Sequence, residues 1–432
     1  MRVHLKTLGC RLNEAELETW SRDFRARGHS ITDNAGQADL VVVNTCAVTA
    51  EAVRKSRKLM HRVHRDNPQS KLVVSGCLAS LEPGTTAESL GVDLVIENRD
   101  KDRLVEIAAR ELDLHMMPQL ATGHEADTLL AGGRQRAFIK VQDGCRYQCT
   151  FCVVTLARGE ERSRPAAEIV DEINRLHAEG IKEAVLSGVH LGGYGSDIGS
   201  DLTSLVETVL RRTRIPRLRL GAVEPWDLPA QFWRLFDDPR LLPHLHLPLQ
   251  SGSDRILRLM ARRCKRAEFQ RLVESARATV ADLNLSTDII VGFPGEQEQD
   301  WRQTLDLCEQ IGFGHIHIFA FSPRSGTRAA ALPDSLPREV IRARSQQLHE
   351  LGRRMKRELL QTQLGRRYPV LFEGDPQFDG VAGGYSPNFL RVGVDSPVGC
   401  GSLCNRIHLV RITAVADDGE SLLGELLPER AQ

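Results

Sequence analysis

The sequence predicts an α/β protein in three parts: an N-terminal open parallel sheet, a partial (β/α)6 barrel and a small all-β domain at the C-terminus. Three observations carry this. Short apolar runs alternate with amphipathic helical stretches through residues 1–321, the pattern of parallel sheets. The alternation breaks once, at 113–134, where Met116-Met117-Pro118, Gly123 and Gly132-Gly133 read as a linker. After Gly365 the helical period stops, and strand-like segments broken by Gly and Pro take over. The expected boundaries are 1–125, 130–364 and 365–432, within the usual size of domains.

In the first part, strands are expected at 3–8, 40–44, 72–75 and 93–96, with helices at 14–27, 50–65, 83–89 and 101–112. In the second, strands at 137–141, 184–187, 217–222, 244–249, 286–291 and 315–321 alternate with helices at 166–179, 202–212, 229–236, 266–279 and 299–311. Six such units predict a curved, incomplete barrel. A long Arg-rich helix at 337–364 leads to strands at 370–373, 389–394 and 407–415.

Composition excludes several classes. The chain is 41% hydrophobic and 26% charged, ordinary for a globular protein. Lys+Arg and Asp+Glu are both 57, so any nucleic-acid contact must come from local patches. No apolar run approaches a membrane span. The start, Met1-Arg2-Val3-His4-Leu5-Lys6, leads into a strand pattern without an apolar signal core, so a cytoplasmic protein is expected. Its ten cysteines are then read as metal or cluster ligands rather than disulfides.

Cys145, Cys149 and Cys152 lie in Asp143-Gly144-Cys145-Arg146-Tyr147-Gln148-Cys149-Thr150-Phe151-Cys152, directly after the first barrel strand. Spacings of four and three bring three thiolates to one centre. Three ligands on a four-iron cluster leave one iron open. Zinc would need a fourth ligand, and the next histidine along the chain is His177; a zinc knuckle or unpaired core thiols are the alternatives. This C-x3-C-x2-C loop resembles the radical S-adenosylmethionine superfamily, in which the cofactor binds the open iron at the barrel mouth. The resemblance implies cofactor contacts at Ser187 and Gly188 after the second strand, Gln250 after the fourth, and Ile290 and Gly292 at the end of the fifth, where glycine permits close backbone approach. Arg164, after the cluster loop, is expected to pair with the cofactor carboxylate.

Cys10, Cys46 and Cys77 each follow a strand of the first sheet, in Thr7-Leu8-Gly9-Cys10, Asn44-Thr45-Cys46 and Ser75-Gly76-Cys77. Strand C-termini of an open parallel sheet share one crevice, so these thiols can converge; three small core residues are the alternative. Together with Ala157-Arg158-Gly159 and Gln250-Ser251-Gly252-Ser253, these stretches resemble the methylthiotransferase family, along nearly the whole chain. The resemblance implies an auxiliary [4Fe-4S] cluster on Cys10, Cys46 and Cys77, a radical S-adenosylmethionine [4Fe-4S] cluster on Cys145, Cys149 and Cys152, and a C-terminal TRAM domain. One S-adenosylmethionine would methylate a cluster-bound sulfur, and a second would supply the radical that activates the target carbon.

Arg54-Lys55-Ser56-Arg57, Phe138–Gly144 and His244-Leu245-His246-Leu247 are similar to the branch acting on N6-threonylcarbamoyladenosine in tRNA. That implies a tRNA anticodon stem-loop as partner, with modification at position 37, a low-potential donor such as flavodoxin or ferredoxin, and action as a monomer; the sulfur donor is left open. Isopentenyladenosine in tRNA or a ribosomal-protein aspartate are alternative targets, and a non-catalytic zinc-stabilised RNA-binding protein is an alternative of another class. At 100° per residue, Arg54, Lys58, Arg62 and Arg65 fall within about 80° of one another on the helix after Cys46, opposite Val53, Leu59, Met60 and Val63. A uniformly cationic face there suits phosphate. Tyr385, Asn388, Phe389 and Arg391 resemble the RNA-contacting strand of a TRAM domain. Cys264 and Cys308 are expected to pack in helices, and Cys400 and Cys404 to lie in a turn without a metal. His244, His246, His315 and His317 are expected to have structural or pocket-lining roles.

Overall fold

The computed structural model describes residues 1–89, 91–114, 135–373, 381–395 and 403–428. The expected linker lies largely outside the described residues, as does Cys400. Among the described residues, no helix is long and apolar enough to cross a membrane.

The N-terminal sheet is wholly parallel. Its chain order is β1 (Arg2–Thr7), α1 (Arg11–Ala26), β2 (Ser30–Ile31), β3 (Leu40–Thr45), α2 (Ala50–Asp66), β4 (Lys71–Gly76), α3 (Cys77–Leu81), α4 (Pro83–Ala87), β5 (Leu94–Ile96) and α5 (Leu104–Glu111). The strands lie in the order β2-β1-β3-β4-β5, so the chain reverses direction between β1 and β3. In such sheets ligands collect beyond the strand ends at that switch point. Leu40–Val43 are fully buried because helices cover both faces. The edge strand β2 was not expected, and two residues leave too little pattern to read. The helix expected at 83–89 is present as Pro83–Ala87, and a further short helix, not expected, precedes it and starts on Cys77 itself.

The second part runs β6 (Arg136–Lys140), β7 (Gln142–Asp143), α6 (Val154–Arg158), β8 (Arg162–Ser163), α7 (Ala166–Ala178), β9 (Glu183–Ser187), α8 (Leu202–Arg212), β10 (Arg217–Leu220), β11 (His244–His246), α9 (Asp254–Leu259), α10 (Arg266–Thr279), β12 (Asn284–Val291), α11 (Glu298–Ile311), β13 (His315–Ala320) and α12 (Arg338–Gln361). The parallel sheets β10-β9-β6 and β11-β12-β13 join through bridges Leu218↔Leu241 and Ala222↔His246. The result is a half-barrel whose free edges are β6 and β13. Alternate residues such as Ala184, Leu186, Leu218, Leu220, Leu245 and Leu285 face the helices and form the main core. The helix expected at 229–236 is a 3-10 stretch, Ala230–Asp237. There the i,i+3 pairs Phe232/Leu235 and Trp233/Phe236 eclipse one another.

The C-terminal part is a closed barrel of β14 (Arg367–Glu373), β15 (Ala382–Tyr385), β16 (Arg391–Val394), β17 (Ile407–Val415) and β18 (Leu422–Leu426), the shape expected of a TRAM domain. β15 and β18 were not expected. Gly383-Gly384 reads as a turn, yet a Cβ on Gly384 would lie 2.3 Å from the Leu371 carbonyl, so glycine is what permits the strands to close.

This barrel docks on the N-terminal ends of the half-barrel strands, through a buried charge hub. Glu183 accepts from Arg217 Nε (2.8 Å) and Arg219 Nε (2.9 Å). Arg217 also donates to the carbonyls of Pro369, Tyr385 and Ser386, and Arg219 to that of Pro387. Burial would raise the Glu183 carboxyl, but Arg219, Arg217 and Arg136 hold it well below the usual range. Phe389, at φ +64°, stacks on Tyr385 with centroids 4.9 Å apart and lies under Arg219 at 4.5 Å. Asn388 is 2% exposed, and its carbonyl accepts from Asn284. The expected RNA-contacting strand is corrected here: Tyr385, Asn388 and Phe389 form the seam between the two barrels, and the strand starts only at Arg391, which remains partly exposed.

Candidate active site: two cysteine triads joined by buried charge

The first triad forms because glycines let three strand ends crowd together. Gly9 has φ +107°, and a Cβ on it would sit 2.7 Å from Cys46 Sγ. Gly76 has φ +100°, and a Cβ there would meet the Thr45 carbonyl at 2.3 Å. Cys10 then caps α1 and Cys77 opens α3, with Cys46 between them. Burial first, with the neighbouring Cys77 and Cys10, pushes the Cys46 thiol up to about 11. Three thiolates at such a place need a cation among them, the donor set of an iron–sulfur ligand.

The second triad lies on the loop after β7. Gly144, at φ +72°, turns the chain, and Cys145 N donates to the Gly159 carbonyl (3.1 Å). Thr150 is fixed by its hydroxyl to the Leu259 carbonyl (2.8 Å). Cys152 Sγ accepts from Val154 N (3.4 Å), and Arg262 Nη1 lies 3.9 Å from Cys149 Sγ. Such N–H to sulfur contacts are those that stabilise ligating thiolates. Burial pushes Cys145 up to about 12 and Cys152 to about 11; for Cys152 the nearby Cys149 and Cys77 add to it. The helix that opens on Cys77, α3, packs against α6 directly after the second loop, so the two triads are neighbours.

What joins the two cysteine loops is a network the sequence did not reveal. Arg158, 4% exposed, donates to Glu16 Oε1 (2.9 Å), Asp143 Oδ1 (2.8 Å) and Asn13 Oδ1 (2.8 Å). Asn13 in turn donates to the Leu8 carbonyl (2.7 Å), beside Cys10. Glu16 also takes the buried Lys101 ammonium at 2.6 Å, and Lys101 donates to Asn98 (2.9 Å). Asn98 donates to the Ala157 carbonyl (2.7 Å) and approaches Cys77 Sγ at 4.0 Å. Burial would raise Glu16, but Arg158, Lys101 and Lys140 hold it down to about 2. Both cysteine loops are therefore anchored to one rigid ionic cluster. Only Arg158 carried a signal, as part of Ala157-Arg158-Gly159; Glu16 and Lys101 look like ordinary helix-face charges.

Beside Cys145 stands a second group missed in the sequence. His190 is fully buried, with Nδ1 against Glu161 and Nε2 2.6 Å from Asp227 Oδ2. Burial would lower its pKa, but Asp227, Glu224 and Glu161 raise it above the ordinary value. Cys145, Glu161 and His190 each bring a ligand atom within 4.8 Å of the others, and His190, Glu224 and Asp227 do the same, so donor groups crowd this side of the cysteine loop. Glu224 Oε2 and Trp226 Nε1 are buried without hydrogen-bond partners, donor and acceptor positions that a polar cofactor would satisfy.

The residues expected to bind S-adenosylmethionine fall at the same ends of the half-barrel, with one exception. Ser187 is buried, and a Cβ on Gly188 would lie 3.0 Å from Gln142 Oε1. Gln250 is buried at φ +76° and pairs with β12 through Gln250 N to the Asp288 carbonyl (2.8 Å). Ile290 packs with Ile256, Met260 and Phe293, and Gly292 has φ +78°. Arg164 is the correction: it donates to Glu172 Oε2 (2.8 Å) and the Lys140 carbonyl (2.7 Å), and Glu172 also holds Arg22 of α1 at 2.6 Å. Through Glu172 its charge ties α7 to α1.

The cationic face of α2 is exposed at Arg54, Lys58, Arg62 and Arg65, with Val53, Met60 and Val63 buried opposite. It is not uniform. Asp66 pairs with Arg62 (3.4 Å) and Arg65 (3.2 Å), so the positive charge concentrates at the Arg54/Lys58 end. Cys264 and Cys308 are buried in the main core. Cys404 lies 3.7 Å from Gln135 Nε2. The four histidines line the half-barrel interior: His246 Nε2 is 3.2 Å from Asp288 Oδ1, and His317 lies 4.4 Å from His315 and 5.4 Å from His246 between ring centroids.

Comparison with known proteins agrees with this architecture. Residues 2–97 match Uncharacterized protein family UPF0004, and residues 139–308 match the Radical SAM superfamily. The Threonylcarbamoyladenosine tRNA methylthiotransferase MtaB of Thermotoga maritima is 33% identical over 422 residues, covering 96% of this chain and 95% of that protein. The tRNA-2-methylthio-N(6)-dimethylallyladenosine synthase of Cereibacter sphaeroides is 35% identical over 438 residues, covering 99% of this chain and 98% of that protein. Among solved structures, the radical S-adenosylmethionine methyltransferase TsrM from Kitasatospora setae superposes with a TM-score of 0.57 at 16% identity, over 76% of this chain and 77% of that one, which shows a shared fold.

Proposed function

This chain belongs to the radical S-adenosylmethionine methylthiotransferase family, and on that premise we propose that it installs a methylthio group at C2 of N6-threonylcarbamoyladenosine, at position 37 beside the anticodon of tRNA. The observation that carries the reading is the convergence of two three-cysteine sites on one buried network of Arg158, Glu16, Asn13 and Asn98. Cys145, Cys149 and Cys152 would hold the radical [4Fe-4S] cluster, and Cys10, Cys46 and Cys77 the auxiliary one. When bound, the clusters and S-adenosylmethionine supply one-electron chemistry and sulfur that no side chain here can.

The chain's own residues position and shield. Arg158 and Asn98 fix the two cysteine loops relative to each other. Glu224 and Trp226 offer polar atoms to the cofactor, and the His190–Asp227–Glu161 group holds that wall rigid. Ser187, Gly188, Gln250, Ile290 and Gly292 line the same mouth. Arg54 and Lys58, with Arg391 on the C-terminal barrel, are the cations assigned to tRNA phosphates. The enzyme acts as a cytoplasmic monomer on the anticodon stem-loop, reduced by a flavodoxin or ferredoxin. Identity to the dimethylallyladenosine relatives is as high as to the threonylcarbamoyladenosine ones, so that substrate is the second reading. Reconstituted anaerobically with S-adenosylmethionine and a reductant, the enzyme should convert the threonylcarbamoyl nucleoside to its methylthio form in digests analysed by mass spectrometry. Conversion of the dimethylallyl nucleoside alone would overturn the substrate assignment.

A further inference from the structure

The half-barrel has a lateral opening, and its rim carries charge that the cluster network does not use. Among the described residues, β6 and β13 pair with no strand across the gap between them. Helix α1 lies against β6, and its first residue, Arg11, places its guanidinium 4.9 Å above the Phe138 ring on that strand. The Arg11 side chain is 64% exposed; its ion pair is Glu14 at 3.2 Å, one turn along the same helix, and such exposed pairs are weak. Opposite, β13 turns inward His315, His317 and Phe319, all exposed to the opening. Behind them His246 is fixed by Ser286 Oγ at 3.0 Å and by Asp288, so its ring is oriented. His317 pairs in register with Asp288 and meets the His246 ring edge-on at 5.4 Å; burial first, then His246 and Arg11, lower its pKa against the opposing pull of Asp288. That direction favours the uncharged ring, a hydrogen-bonding group beside the Arg11 cation.

Arg11 directly follows Cys10, so this rim adjoins the site that would present the sulfur. In adenine, C2 and C6 both flank N1, so a base with C2 at the cysteine triads carries its N6 substituent only a few ångströms away. A threonylcarbamoyl group ends in a carboxylate and bears urea and hydroxyl groups. A dimethylallyl group has none of these. A guanidinium matches a carboxylate, and oriented imidazoles match urea or hydroxyl groups. A site built for polar partners rejects an analogue lacking them, because its own groups are left unpaired.

We infer that the gap between β6 and β13 reads the N6 substituent, with Arg11 taking its carboxylate and the His246–His317 pair its uncharged polar groups. This deepens the substrate reading above and rests on it. The test is equilibrium binding, free of turnover: fluorescence anisotropy of the reconstituted enzyme with anticodon stem-loop RNA carrying threonylcarbamoyladenosine, dimethylallyladenosine or plain adenosine at position 37. The wild-type enzyme should prefer the threonylcarbamoyl RNA by about tenfold or more, the value of one charged hydrogen-bonded contact. Arg11→Gln should abolish that preference while retaining its iron, and Arg11→Lys should restore part of it. His317→Ala, away from the cysteine ligands, should reduce the preference independently. If the wild type prefers threonylcarbamoyl RNA and both Arg11→Gln and His317→Ala keep that preference, the assignment of the gap is overturned while the substrate reading stands. If the wild type prefers the dimethylallyl RNA, both fall together.

Discussion

Replacing Arg158 by Ala should loosen the joint between the two cysteine sites by an amount the structure bounds. The guanidinium makes two ion pairs and one hydrogen bond to Asn13, all buried. Removing one partner of a buried pair costs about 3–5 kcal/mol, because the remaining charge is left uncompensated. Here compensation is partial. Glu16 keeps Lys101 at 2.6 Å, and Asp143 keeps Lys140 at 3.1 Å. The loss should therefore sit near the lower end, about 3 kcal/mol, or roughly 6–12 °C in the melting temperature of a domain of this size. The assay is a calorimetric melt of wild type, Arg158→Ala, Glu16→Gln and the double variant. The double variant should lose less than the sum of the singles, since each removes the other's partner. A shift within about 1 °C for Arg158→Ala, or strict additivity, would refute the network's role.

Two further outcomes follow. Glu16 titrates near 2 in the folded chain, below its unfolded value, so its contribution is present above about pH 4.3 and lost as pH falls toward 2. Acid denaturation followed by circular dichroism should start at lower pH in wild type than in Arg158→Ala; coincident midpoints would remove Arg158 as the cause. Glu183→Ala leaves Arg217 and Arg219 buried without their carboxylate, and should cost about 3–5 kcal/mol and expose the chain near Gly365 to limited proteolysis. Unchanged proteolysis would mean the C-terminal barrel docks without the hub.

Much of the architecture was legible because it is written in period and spacing. Apolar runs such as Leu40-Val41-Val42-Val43 can only be buried strands, and a cysteine directly after each of three strand ends, two of them behind a glycine, carries the first triad. The rest depended on contacts remote in sequence. Glu16 and Arg158 are 142 residues apart, and nothing local distinguishes Glu16 from Glu14 or Glu18. Arg164 was read from its place after the cluster loop, but Glu172, two turns into the next helix, claims it. Phe389 was read as a strand residue, whereas its positive φ and the cations beneath the half-barrel make it a plug between domains. The face of α2 was read on helical angle alone, and Asp66 at its end pairs with two of its four cations.

The measurement that bears most directly on two facing cysteine sites is electron paramagnetic resonance of the reduced, anaerobically reconstituted enzyme, combined with an iron count. Wild type should hold about eight irons per chain, two four-iron clusters, with spin–spin broadening between them. Cys10→Ala and Cys145→Ala should each halve the iron and leave one unbroadened signal, and only Cys10→Ala should still cleave S-adenosylmethionine. Four irons in the wild type, or two signals that simply add, would contradict the account.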